Sequence, residues 1–112
     1  MGVENPVEVF YHDVPSEKAS QAVDALKPHS KAALFAPSPP SAWGDEVYHS
    51  RRGYIRALED RAIPLVAQEM MVNLSGVEWK VREMNTSHSP FLSKPRETAG
   101  TILEMIAEFQ AE

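Results

Sequence analysis

Two residues stand where chemistry is done if the elements around them form as patterned. Asp60 follows the short apolar run Tyr54-Ile55-Arg56-Ala57-Leu58, and His88 lies in the loop Asn85-Thr86-Ser87-His88-Ser89-Pro90 after the alternating residues Val77, Trp79 and Val81. Both runs read as β-strands, and in open parallel sheets reactive groups gather at the carboxyl ends of the strands. Neighbouring strands would set the two loops side by side, within reach of a carboxylate–imidazole contact. A buried aspartate in that place orients the ring and stabilises the imidazolium that forms when histidine acts as a general base. The same spacing supports a plainer reading, in which Asp60 caps the helix starting near Pro64 and His88 is a surface loop residue.

The remaining candidates are thinner. His12-Asp13 and His49 share no i, i+4 histidine pair or H-E-x-x-H motif with His88, so no metal site is expected, and no cofactor motif stands out. His29, after Pro28, reads as a solvated loop residue. Ser89 adjoins His88, but adjacent loop side chains rarely converge, and its expected task is to hydrogen-bond the local backbone. The absence of cysteine removes a thiolate zinc site, a cysteine nucleophile and a disulfide scaffold. Met70 and Met71 read as core packing.

The elements that must position Asp60 and His88 occupy the second half of the chain. A strand at Tyr54–Leu58 leads to a helix with Pro64 in its first turn, Ala67, Met70, Met71 and Leu74 on one face, and Gly76 at its stop. Val77, Trp79 and Val81 alternate with Glu78, Lys80 and Arg82, the pattern of a strand with one wet face. A last helix capped by Ser93 carries the apolar stripe Ala99, Ile102, Leu103, Ile106 and Ala107. This βαβα order predicts two parallel strands in an α/β fold, with an open edge beside Tyr54–Leu58. Before it, Val7–Phe10 reads as a strand or a lead-in segment. A helix with Asp13 or Ser16 as N-cap should bury Ala19, Ala22, Val23 and Leu26 and end at Pro28. A short helical turn is expected at Lys31–Phe35, then an irregular Pro-rich loop to Gly44. The texture changes near residue 45, dividing the chain into 1–45 and 46–112.

Composition sets the outer bounds. With 112 residues, 43% hydrophobic and 24% charged, the chain has the make-up of one small globular domain. Eleven Lys and Arg against sixteen Asp and Glu give a net charge of -5, which argues against nucleic acid as a partner. No apolar run approaches the roughly 20 residues of a membrane span. The first residues carry neither a secretory nor a myristoylation signal, so no membrane partner and a cytoplasmic location are expected.

Tyr54-Ile55, Asp60-Arg61-Ala62-Ile63-Pro64 and Gln68-Glu69-Met70 resemble the segment that carries the acid of many α/β-hydrolases. Ser87-His88-Ser89-Pro90-Phe91-Leu92-Ser93-Lys94-Pro95 is similar to their catalytic-histidine loop. Phe10-Tyr11-His12-Asp13-Val14-Pro15, the helix after it and Trp43 resemble the cap of the group that includes plant methylesterases and hydroxynitrile lyases. The resemblance implies a partial α/β-hydrolase fold, with residues 1–45 as cap and 46–112 as the C-terminal βαβα part. It makes Asp60 the acid and His88 the base of a Ser–His–Asp triad acting on small esters, or of a lyase in which the histidine moves a proton without an acyl intermediate. Phe10, Tyr11, Phe35 and Trp43 then either line a pocket under the cap or hold the cap to the sheet.

In this fold the serine precedes the acid on a G-x-S-x-G elbow. Ser16, Ser20, Ser30, Ser38, Ser41 and Ser50 all lack the flanking glycines, and no oxyanion-hole loop is visible. The expectation is therefore a C-terminal fragment or a truncated gene product, inactive alone. An N-terminal half would complete it for an ester-like substrate. The other reading is a non-catalytic binding protein that self-associates through its open strand edge.

Overall fold

Pro6 opens a five-residue helix, α1 (Pro6–Phe10), at a position where its missing N–H costs no hydrogen bond. The computed structural model, which describes residues 2–111, thus makes Val7–Phe10 helical rather than a strand. Proline sets the helical φ there, and no strand pairs with the segment. A turn leads into α2 (Ser16–Ala25), whose N-cap is Pro15, with no side chain capping it. Asp13 and Ser16 were the expected caps, but the Asp13 carboxylate is bonded to a residue far along the chain. Ala19 is buried and Ala22 and Val23 pack with Phe10 and Leu92 around Tyr11 and Val14. Leu26 falls beyond the last helical turn and is exposed, so it leaves the face its spacing assigned to it. A short α3 (Lys31–Phe35) starts at Ser30, whose hydroxyl accepts the Ala33 N–H at 3.4 Å. Irregular chain and two single 3₁₀ turns, Ala42–Gly44 and Glu46–Tyr48, lead to the sheet.

The second half follows as β1 (Gly53–Ala57), α4 (Leu65–Leu74), β2 (Lys80–Met84), α5 (Pro90–Ser93) and α6 (Pro95–Ala111). β1 and β2 are parallel, in the register Gly53 to Lys80 through Ala57 to Met84. Gly76 stops the α4 segment with a φ of 76°, a left-handed conformation that glycine adopts without a Cβ penalty. β2 begins at Lys80, so Val77 and Trp79 lie before the ladder rather than in it. Ser93 ends α5 and donates its hydroxyl to the Ser89 carbonyl, while α6 starts on Pro95 without it.

Side-chain alternation puts Gly53, Ile55, Ala57, Lys80, Arg82 and Met84 on one face, and α6 covers it. Thr98 donates to the Met84 sulfur at 3.6 Å, and Arg82 and Lys80 both pair with Glu108. The face expected to be wet is thus covered, its charges matched by a helix residue. Arg56, on the opposite face, bonds Glu69 of α4 at 3.1 Å. Helices therefore lie on both faces, as a parallel sheet requires.

The apolar stripes of these helices are not where the helices touch the sheet. Ile102, Leu103 and Ile106 are 45%, 65% and 42% exposed, and Thr98 and Met105 are the buried residues of α6. On α4 the buried residue is Gln68, while Met70, Met71 and Leu74 are exposed. Periodicity shows how much surface seeks cover, not what is present to cover it. Among the described residues the sheet has two strands, too narrow a platform for either stripe. No helix among them is long and apolar enough to cross a membrane.

Candidate active site

Ala57 and Met84 are register partners at the ends of parallel strands, so the loops after them leave from one rim. The ladder continues into those loops, with Leu58 N–H on the Met84 carbonyl at 2.9 Å and Glu59 N–H on the Thr86 carbonyl at 3.0 Å. One residue on, Asp60 Oδ2 lies 2.8 Å from His88 Nδ1. The Asp60 side chain is 5% exposed and that of His88 is 34% exposed. The acid is thus walled in while the imidazole reaches solvent.

The two oxygens of Asp60 have different partners. Oδ1 accepts the backbone N–H groups of Ala62 and Ile63, each at 2.8 Å, and braces the turn before α4. The N-cap of α4 itself is Pro64, so the brace lies ahead of the helix. Oδ2 is left for His88. An ionised carboxylate only accepts, so a neutral ring in this place carries its proton on Nδ1 and keeps the lone pair on Nε2. That is the tautomer a general base needs. The Phe10 ring lies 5.4 Å from the His88 ring. Burial, reinforced by the negative charge of Asp60, raises the Tyr54 phenol above its ordinary 10.0.

The α1–α2 turn reaches both loops. His12 Nε2 donates to the Glu59 carbonyl at 2.8 Å, and Asp13 Oδ2 accepts the Ser87 N–H at 2.9 Å. Burial works to raise the Asp13 carboxyl, but hydrogen bonding at Ser87 outweighs it, and the group titrates below its ordinary 3.8. A depressed folded-state value means that Asp13 stabilises the fold above the unfolded value and loses that contribution as pH falls through the folded one. The stability lead of the native chain over Asp13→Ala, measured by urea unfolding at several pH values, should therefore be constant above about pH 5 and shrink below pH 3.8. A lead that persists undiminished to pH 2 would show that the ionised carboxylate is not what matters.

Gln68 is the residue that spacing missed. Only 2% exposed, it accepts the Ala57 N–H at 3.0 Å and donates to the Ala57 and Ile63 carbonyls at 2.9 and 2.8 Å. It ties down both ends of the segment that carries Asp60. A lone amide amid the apolar residues of α4 was the available signal. Among the other candidates, Tyr11 is buried, Trp43 packs on Trp79 at 5.6 Å and Phe35 is 74% exposed. Phe35 therefore packs neither in a pocket nor against the sheet among the described residues. Ser89 is 2% exposed, and its carbonyl accepts from Leu92 and Ser93. Ser50 has a φ of 60°, but it precedes β1 and so lies toward the opposite rim from His88. His49 precedes β1 likewise, and His29 is exposed.

The chain matches the alpha/beta hydrolase family over residues 2–101. It is 32% identical over 120 residues to putative methylesterase 11, chloroplastic, of Arabidopsis thaliana, covering 88% of this chain and 31% of that protein. It is 33% identical over 100 residues to norfluorocurarine synthase 2 of Strychnos nux-vomica, covering 86% and 36%. It is 31% identical over 102 residues to pyrethroid hydrolase of Sphingobium wenxiniae, covering 91% and 34%. The crystal structure of polyneuridine aldehyde esterase superposes with a TM-score of 0.73 at 22% identity, over 89% of this chain and 39% of that one. The chain thus spans about a third of the length of these relatives, and its two-stranded parallel sheet with flanking helices is part of their fold. It belongs to the alpha/beta hydrolase family.

Proposed function

We propose that Asp60 and His88 are the acid and base of a Ser–His–Asp esterase acting on small esters, with the serine and oxyanion hole supplied from outside these 112 residues. The observation that supports this most directly is the 2.8 Å contact between Asp60 and Nδ1, which leaves Nε2 of a part-exposed ring as the proton acceptor. In the reaction His88 Nε2 takes the serine hydroxyl proton as the oxygen attacks the ester carbonyl. It returns that proton to the departing alkoxide, then deprotonates the water that hydrolyses the acyl intermediate. Asp60 holds the ring and stabilises the imidazolium throughout. In this reading residues 1–45 form the cap and 46–112 the sheet portion, while the exposed stripes of α4 and α6 and the free edge of β1 receive the rest of the sheet.

A second reading draws on those same exposed surfaces: a non-catalytic protein that associates with a second copy through the β1 edge. Light scattering after size exclusion separates the two, since a monomer at high concentration removes edge pairing.

Purified alone, the chain should show no saturable turnover of p-nitrophenyl acetate. Co-expression with the serine-bearing remainder of a full-length relative should produce turnover that His88→Ala abolishes. Saturable turnover by the chain alone would overturn the dependence on an outside serine. Turnover in the complemented protein that survives His88→Ala would overturn the assignment of His88.

A further inference from the structure

We infer that His12 and Asp13 are positioning residues that hold Asp60 and His88 in register with each other, an inference that rests on the hydrolase reading above. Each grips the residue just before one member of the pair. His12 Nε2 donates to the carbonyl of Glu59, which precedes Asp60, and Asp13 accepts the N–H of Ser87, which precedes His88. The two contacts come from neighbouring residues of one turn, yet span 47 and 74 positions of sequence. The bond from Glu59 N–H to the Thr86 carbonyl at 3.0 Å closes the circuit between the loops. His12, Glu59, Thr86, Ser87 and Asp13 thus form a ring of contacts that touches neither reacting side chain.

The surroundings suit a rigid brace. Thr86 and Ser87 are fully buried, so the Ser87 N–H has no water to replace the carboxylate. A charged acceptor roughly doubles the strength of such a bond. The Glu59 carbonyl only accepts, which fixes the proton on His12 Nε2 in either charge state of that ring. The same segment adds the Glu8–Arg61 ion pair at 2.6 Å and the Phe10–His88 ring contact. An acid–base pair must be held to about 0.5 Å to work, and one tether on each loop, anchored to a common turn, supplies that constraint.

Nitrogen-15 NMR of the His88 ring in the whole chain, at a pH where the ring is neutral, tests this. The native protein should show mainly the Nδ1–H form. Asp13→Ala and His12→Phe should each raise the Nε2–H share at least threefold in protein that retains a dispersed spectrum, and Asp13→Asn, which keeps an oxygen for Ser87, should restore the native ratio. Loss of thermal stability in Asp13→Ala and His12→Phe with an unchanged His88 ratio would overturn the inference and leave a merely structural tether. If Asp13→Ala does not fold, His12→Phe and Asp13→Asn decide the matter by the same ratio. Asp60→Asn tells the two failures apart: an unchanged ratio there defeats the Asp60–His88 pairing itself, whereas a changed ratio there with none in His12→Phe or Asp13→Ala defeats only the brace.

Discussion

Asp60→Asn should lower kcat of the complemented enzyme about 10³- to 10⁴-fold while leaving the fold standing. The reason lies in how the carboxylate is divided. Its Oδ1 is committed to the Ala62 and Ile63 N–H groups, which need an acceptor. An asparagine keeps its oxygen there, so its NH₂ group must face His88. That group donates to Nδ1 and drives the ring proton onto Nε2, the atom that should accept from serine. The imidazole is then in place and in the wrong tautomer. Asp60→Ala is a different lesion, because it also strips the acceptor from the turn and should lower stability by about 2 kcal/mol. Steady-state kinetics set beside urea unfolding separate them. Near-native kcat in Asp60→Asn would show that the carboxylate braces a turn and plays no part in orienting a base.

The second large effect concerns stability. Gln68→Leu should destabilise the chain by about 2–5 kcal/mol, since it orphans the Ala57 N–H and the Ile63 carbonyl at roughly 1–3 kcal/mol each and leaves the Ala57 carbonyl with only the Asp60 N–H at 3.3 Å. The groups at risk are the N–H and carbonyl of Ala57 and the carbonyl of Ile63. In a wider sheet, strand neighbours satisfy backbone groups. Here β1 is paired on one side, and at Ala57, its last residue, the Gln68 side chain satisfies the backbone N–H and carbonyl while the rest of that edge stays free among the described residues. Gln68→Glu keeps an acceptor for the Ala57 N–H but loses both donors and brings a charge, so it should fare little better. A shift in the urea midpoint equivalent to less than about 1 kcal/mol would mean that solvent substitutes for the amide.

The local elements around the site were legible because their signals are local. Pro64 before a helical run and Gly76 after it need only a few residues to be read, whereas the alternation of Val77, Trp79 and Val81 lies mostly ahead of β2. Parallel pairing followed from the βαβ order, and parallel pairing puts the Asp60 and His88 loops on one rim. The two side chains meet because a topological rule carried a local pattern into three dimensions. The ends of elements were harder. Val7–Phe10 has the composition of a strand, but a proline at its start and no partner beside it made it a helix. Ser93 has the type and place of a cap, yet it closes α5 and leaves α6 to Pro95.

What the amino-acid order carried by itself is the order of the second-half elements, through short-range pattern and chain direction, with Asp60 and His88 as candidates for one rim; the family came from the resemblance of whole segments to α/β-hydrolases. Tertiary structure alone decided that Asp13 would serve the Ser87 N–H rather than cap α2, that Gln68 would bond the backbone of Ala57 and Ile63, and that the stripes of α4 and α6 would remain exposed. Each of those outcomes depends on which surfaces and polar groups happen to be within reach across tens of residues. No spacing along the chain encodes that, because a hydrogen-bonding group accepts whichever partner the fold brings to it.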